Sequence, residues 1–118
     1  MNIPLLRMGD PQGFSPRLIA EELRTTVDDV ARSTGLGRDA LVRKDRVGSP
    51  RTQTRLREMV EILNRVAPRF GSELMAYAWY RSEPLPGFGG MTAMHLVREG
   101  RAAEVADYID AVDAGLYA

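Results

Sequence analysis

Apolar residues recur along this chain at steps of three and four and nowhere alternate for long enough to argue a strand, so the pattern predicts helices throughout. The clearest stripe, Leu56, Met59, Val60, Leu63, Val66 and Ala67, predicts a helix that starts near Pro50 or Arg51. Pro68 cannot continue the hydrogen-bond ladder, so the helix is expected to stop there. Upstream, Leu18, Ile19 and Leu23 line a helix that begins at Pro16, and Thr26 caps a short helix from Val27 to Ser33. Val27, Val30 and Ala31 face inward, and Gly35 ends the helix because a left-handed residue costs glycine little. A second short helix is expected from about Arg38 to Lys44, with Leu41 toward the core, before a turn at Gly48-Ser49-Pro50. Downstream, Phe70 to Arg81 puts Leu74, Met75, Ala78 and Trp79 on one side. Thr92 caps Ala93 to Arg98, and Arg101 to Gly115 closes the chain with Val105, Tyr108, Ile109, Val112 and Leu116 as its stripe.

This is an all-α pattern of about seven helices. Residues 1–14, with Pro4, Gly9, Pro11 and Gly13 and little periodicity, read as a flexible leader; 15–68 and 69–118 read as two helical lobes with a boundary near Pro68. No internal repeat or low-complexity tract is visible. At 118 residues, 44% hydrophobic and 27% charged, the chain has the composition of one modest core or two small lobes sharing one. The absence of cysteine excludes disulfides and thiolate metal sites and points to a reducing cytoplasm. The longest apolar run, Leu74 to Tyr80, is far too short to span a membrane, and the first residues lack the layout of a signal peptide.

Charge changes the picture more than composition does. Net charge is zero, yet residues 1–69 hold 13 basic against 9 acidic side chains, and residues 70–118 hold 3 against 7. Between Arg32 and Arg57 the ratio is 8 to 2. Such asymmetry implies a polyanionic partner for one part and a basic partner for the other, or two solvated faces that differ. Asp107, Asp110 and Asp113 occupy successive turns of one helix face, and read as a solvated face, or one meeting a basic partner, rather than a metal site.

Val27 to Lys44 meets the demands of a helix-turn-helix: a small residue, Ala31, at the helix crossing, Gly35 at the reversal, and Leu41 as a clamp. It is similar to the lambda-repressor-like DNA-binding unit of Xre regulators. That resemblance makes Arg38 and Arg43 candidates for the DNA groove and Lys44, Arg46, Arg51 and Arg55 candidates for phosphates, whose counterions such cations displace. Gly37, Asp39 and Lys44 are unfavourable for that role, so a dimerisation or support lobe without DNA affinity stands beside it.

The carboxyl end carries a longer ordered string: Trp79, Pro84, Phe88-Gly89-Gly90, Thr92, Leu96-Val97, Gly100 and Gly115-Leu116-Tyr117. It resembles the toxin-binding domain of the Xre/MbcA/ParS family of bacterial antitoxins over about a third of the chain. Leu85 and Ala93 depart from that family, which often has Asn and Pro there. The resemblance implies a cognate RES-domain toxin, an NAD-consuming or ADP-ribosylating enzyme, whose NAD cleft is blocked by the antitoxin's terminal segment. Carried onto this sequence, the toxin-binding candidates are Gly115, Leu116, Tyr117 and Ala118, with Arg98 and the Gly89-Gly90 turn nearby. The carboxylate of Ala118 would then meet arginines that otherwise hold NAD phosphates. Within the chain's own packing, Gly115 would only end a helix, and Leu116 and Trp79 would be core anchors.

Nothing in the sequence supports catalysis. His95 is the only histidine, no serine sits in a nucleophile elbow, and Gly87 to Gly90 follows Pro86 rather than a strand. No metal and no cofactor are expected. The leading expectation is thus an antitoxin that also represses its operon, assembled as a homodimer or a larger complex with its toxin. The alternative is a stand-alone Xre-type regulator whose carboxyl lobe only dimerises.

Overall fold

In the computed structural model, which describes residues 9–10 and 13–115, the backbone forms eight helices and one minimal hairpin. The order is β1 (Gly9–Asp10), β2 (Gly13–Phe14), α1 (Pro16–Glu22), α2 (Val27–Thr34), α3 (Arg38–Val42), α4 (Lys44–Val47), α5 (Pro50–Phe70), α6 (Glu73–Ser82), α7 (Ala93–Arg98) and α8 (Ala102–Asp113). The all-α expectation holds. Five of these helices begin at a hydroxyl cap: Ser15, Thr26, Ser49, Ser72 and Thr92 each accept a hydrogen bond from the backbone N–H three residues on. Proline follows the cap in α1 and α5, where its missing donor is not needed.

Within the stretch read as a leader, β1 and β2 pair antiparallel, Gly9 opposite Phe14. The Gln53 side chain holds this arm to α5: it accepts from the Phe14 N–H at 2.6 Å and donates to the Phe14 and Val47 carbonyls. Gly13, at φ +115°, leaves room for that amide, into which a Cβ would project.

Three features differ from the periodic reading. The helix expected from Arg38 to Lys44 is broken at Arg43, whose backbone is extended at φ −85° and ψ 125°. Leu41 is its buried anchor, while Lys44 stands where a second clamp would hold the helix on course, so the chain breaks and restarts as the single turn of α4. Next, α5 does not stop at Pro68 but runs on to Phe70. A proline in the last turn forfeits one ladder bond, to the Asn64 carbonyl, and Gly71 in the left-handed region then closes the end by donating to Ala67.

The third difference concerns the orientation of α6. Its buried residues are Ala76, Tyr77 and Tyr80; Met75 and Ala78 are exposed, and Leu74 and Trp79 half-buried. Both sides of α6 are apolar, so periodicity cannot choose between them. The two tyrosine hydroxyls choose, because each finds a partner on α2.

One cluster of buried residues reaches from Ile19 in α1 to Ile109 in α8. Its axis is α5, which packs against α2, α4, β2, α6, α7 and α8. Leu56, Met59, Val60 and Leu63 are wholly buried along it, as are Val30, Leu96, Val97 and Ile109 from the surrounding helices.

Candidate functional site

The connection from α6 to α7 is a tight, glycine-rich turn. Pro84 bridges to Thr92, the Leu85 N–H donates to the Met91 carbonyl at 2.9 Å, and the Phe88 and Met91 N–H groups donate back within the loop. Gly87, Gly89 and Gly90 all have positive φ, which explains why glycines recur here. Leu85 and Ala93, the two departures from the family pattern, are both buried, so they serve the core of this turn. Phe88 meets the ring of Tyr108 edge-on at 6.3 Å and docks the turn on α8. The candidates Gly89 and Gly90 are exposed at its tip.

Arg98 is exposed too, but at the far end of α7, where the backbone presses on α2. A Cβ on Gly35 would lie 3.1 Å from the Arg98 Cα. Close by, Arg55 of α5 donates to the Val97 carbonyl. The other end of α8 is fixed by Arg65, which pairs with Asp110 at 2.8 Å and Asp113 at 2.9 Å, and by Arg69, which pairs with Asp113. Helix α8 therefore runs beside α5 in the same direction. Residues 55 and 69 are about 20 Å apart along a helix rising 1.5 Å per residue, so Arg98 and Gly115 sit toward opposite ends of α5. Gly115 adopts φ +82° just beyond α8, as a helix-ending glycine does. Leu116, Tyr117 and Ala118 lie outside the described residues.

Two of the three aspartates on the α8 face thus belong to the fold. The arginine hydrogen bonds, Arg69 first and then Arg65, hold the Asp113 carboxyl below the usual range. Arg101 similarly forks onto Glu104 at 2.6 and 2.9 Å, which lowers the Glu104 carboxyl, and also reaches Glu99.

On the opposite side of α6 from its tyrosines lies the broadest apolar exposure of this half. Met75 is 56% exposed and Phe70 38%. Phe70 and Trp79 approach with ring centroids 6.2 Å apart. With Ala78, Pro84, Pro86 and Tyr108 they border an open groove of about 480 Å³. Periodicity marked Met75, Ala78 and Trp79 as one face but placed it inward.

The tyrosine side of α6 meets α2 through a polar cluster that the motif reading missed. Asp29, only 7% exposed, accepts from Thr25 at 2.7 Å and Tyr77 at 2.9 Å and pairs with Arg32 and Arg81 at 3.2 Å. Ser33 and Tyr77 share a 2.6 Å hydrogen bond, and the Tyr80 hydroxyl donates to the Ser33 carbonyl. Burial pushes the Asp29 carboxyl up, but the hydrogen bonds from Thr25 and Tyr77 and the charges of Arg81 and Arg32 outweigh it and leave it below the ordinary value. Burial raises the Tyr77 hydroxyl to about 12. The available signal was a pair of tyrosines at i and i+3 with an aspartate two residues inside a capped helix.

Of the DNA candidates, Arg43, Lys44, Arg46 and Arg51 are exposed around the break between α3 and α4 and the start of α5. Arg43 also approaches Asp45 at 3.4 Å. Arg38 is exposed but pairs with Asp28 at 2.7 Å. Arg55 points into the fold, between Val97 and Glu58, rather than outward as phosphate contact requires.

Taken together, the carboxyl half is a packed helical unit with a hydrogen-bonded turn, a capped α7 and an apolar outer face, features that suit a protein-binding module. Residues 65–115 match the family model of the antitoxin Xre/MbcA/ParS C-terminal toxin-binding domain, which bears out the resemblance carried by Trp79 to Gly115. That family is a binding module of antitoxins and points to a regulatory, non-enzymatic protein with a toxin as partner. Comparison with curated proteins and with solved structures gave no match. Among the described residues, no helix is long and apolar enough to cross a membrane.

Proposed function

We propose that this protein is the antitoxin of a type II toxin–antitoxin pair, acting in the cytoplasm on a RES-domain toxin that consumes NAD or transfers its ADP-ribose. The observation that carries the reading is the match of residues 65–115 to a toxin-binding domain. The carboxyl unit holds the toxin, and the segment from Gly115 through Leu116, Tyr117 and Ala118 enters the NAD cleft and blocks it. Leu116 and Tyr117 supply the apolar bulk that fills the cleft. The exposed cations Arg43, Lys44, Arg46 and Arg51 support a further role in repressing the operon, with two copies reading two half-sites.

Co-expression tests the main claim. Growth arrested by a cognate RES-domain toxin is expected to recover with the full chain and not with a chain ending at Gly115. Arrest that persists with the full chain overturns the reading.

A further inference from the structure

We infer that the outer face of α6 is the surface on which the toxin docks, separately from the segment that blocks its cleft. The inference rests on the antitoxin reading and specifies its interface. Helix α6 has two apolar sides, and hydrogen bonding has committed Tyr77 and Tyr80 to the inner one. What remains outside is Met75 at the centre, with Phe70, Trp79, Pro84 and Tyr108 around an open groove. Small monomeric proteins rarely leave aromatic rings, a methionine and two prolines contiguous in water unless a partner covers them. Aromatic side chains supply most of the energy in such contacts, and methionine adapts to the shape it meets.

Two observations favour the toxin over other occupants. The groove is built wholly from residues 70 to 108, inside the segment that matches a toxin-binding domain. Its lining also carries a single charge, the carboxylate of Glu83, which makes no ion pair among the described residues. The complementary surface is an apolar side chain or two framed by arginine or lysine, on the body of the toxin rather than in its NAD cleft. Docking and blocking are then separable, because α6 supplies affinity and the terminal segment supplies occlusion.

The test measures binding of the RES-domain protein to the full chain by titration calorimetry, and the NAD consumption of the mixture. Met75→Lys puts a charge on a side chain that is already more than half exposed, so the fold is expected to persist, checked by circular dichroism; binding should weaken at least tenfold. Val42→Lys, on the exposed part of α3, should bind as the unaltered chain does. A chain ending at Gly115 should still bind within a few-fold while NAD consumption returns. Unaltered binding by Met75→Lys, or loss of binding on removing residues 116–118, overturns the docking assignment and leaves the antitoxin reading standing. Failure of the unaltered chain to bind overturns both. If the chain alone sediments as a dimer that Met75→Lys splits, the face belongs to a second copy and the assignment falls.

Discussion

Asp29 shows how much one buried carboxylate commits a small protein to a single arrangement. It has left water, and two hydroxyls and two guanidinium groups replace the hydration it lost. Removing one partner leaves the rest under-satisfied, and Tyr77→Phe takes a hydrogen bond from both Asp29 and Ser33. The expected cost is about 1.5 to 3 kcal/mol, the range for hydrogen bonds to charged groups, read from urea unfolding. The same pair predicts how stability varies with pH. The Asp29 carboxyl is held low in the folded chain, so its contribution is present above the ordinary aspartate value of about 4 and is lost as pH falls through the lower folded value. Tyr77 has the opposite sign. Its hydroxyl is raised to about 12, so its contribution is full below the ordinary value near 10 and disappears between there and about 12. Urea midpoints across pH 9 to 12 should therefore fall in the unaltered chain and fall less in Tyr77→Phe.

At the scale of elements, one glycine controls how two helices meet. Gly35 ends α2 at φ +74°, and its hydrogen side faces the backbone of Arg98 at the end of α7. Gly35→Ala adds left-handed strain of roughly 1 to 2 kcal/mol and a Cβ 3.1 Å from backbone that cannot swing aside. A loss of roughly 2 kcal/mol or more is expected in the same unfolding assay. Substituting Gly71, which ends α5 at φ +83° with nothing within 4 Å, incurs only the strain and should cost less. Helix positions were legible because caps and periodicity are local: Thr26 and Thr92 mark helix starts as written in the sequence. The rotation of α6 was not, because it depends on whether a distant residue offers a hydrogen-bond partner, whereas the break at Arg43 was marked only by Lys44 in the place of a second clamp.

Across the whole molecule, α5 prevents the two halves from being independent. Helices on both sides pack on it, Asp29 joins α2 to α6, and Gly35 joins α2 to α7. Calorimetry of the full chain is expected to show one unfolding transition whose calorimetric and van't Hoff enthalpies agree; two separable transitions would mean that the halves fold alone. This tight union also explains why the candidate site was only partly readable. The family string in the last forty residues named the module and its turn, since glycines at positive φ and a threonine cap leave a mark on sequence. It did not reveal that Arg98 and Gly115 lie toward opposite ends of α5, or that Arg55, read as a phosphate contact, braces α7.

The sequence by itself determined the helical class, the places where the helices other than α4 and α6 start, and the kinship of the carboxyl half, all of which arise from neighbours within a few residues of one another. Tertiary structure alone decided which apolar side of α6 is buried, which arginines face water, and where the chain leaves an uncovered surface. Those choices turn on hydrogen bonds and ion pairs between residues more than forty positions apart, such as Tyr77 with Asp29 and Arg69 with Asp113, and no local pattern encodes them.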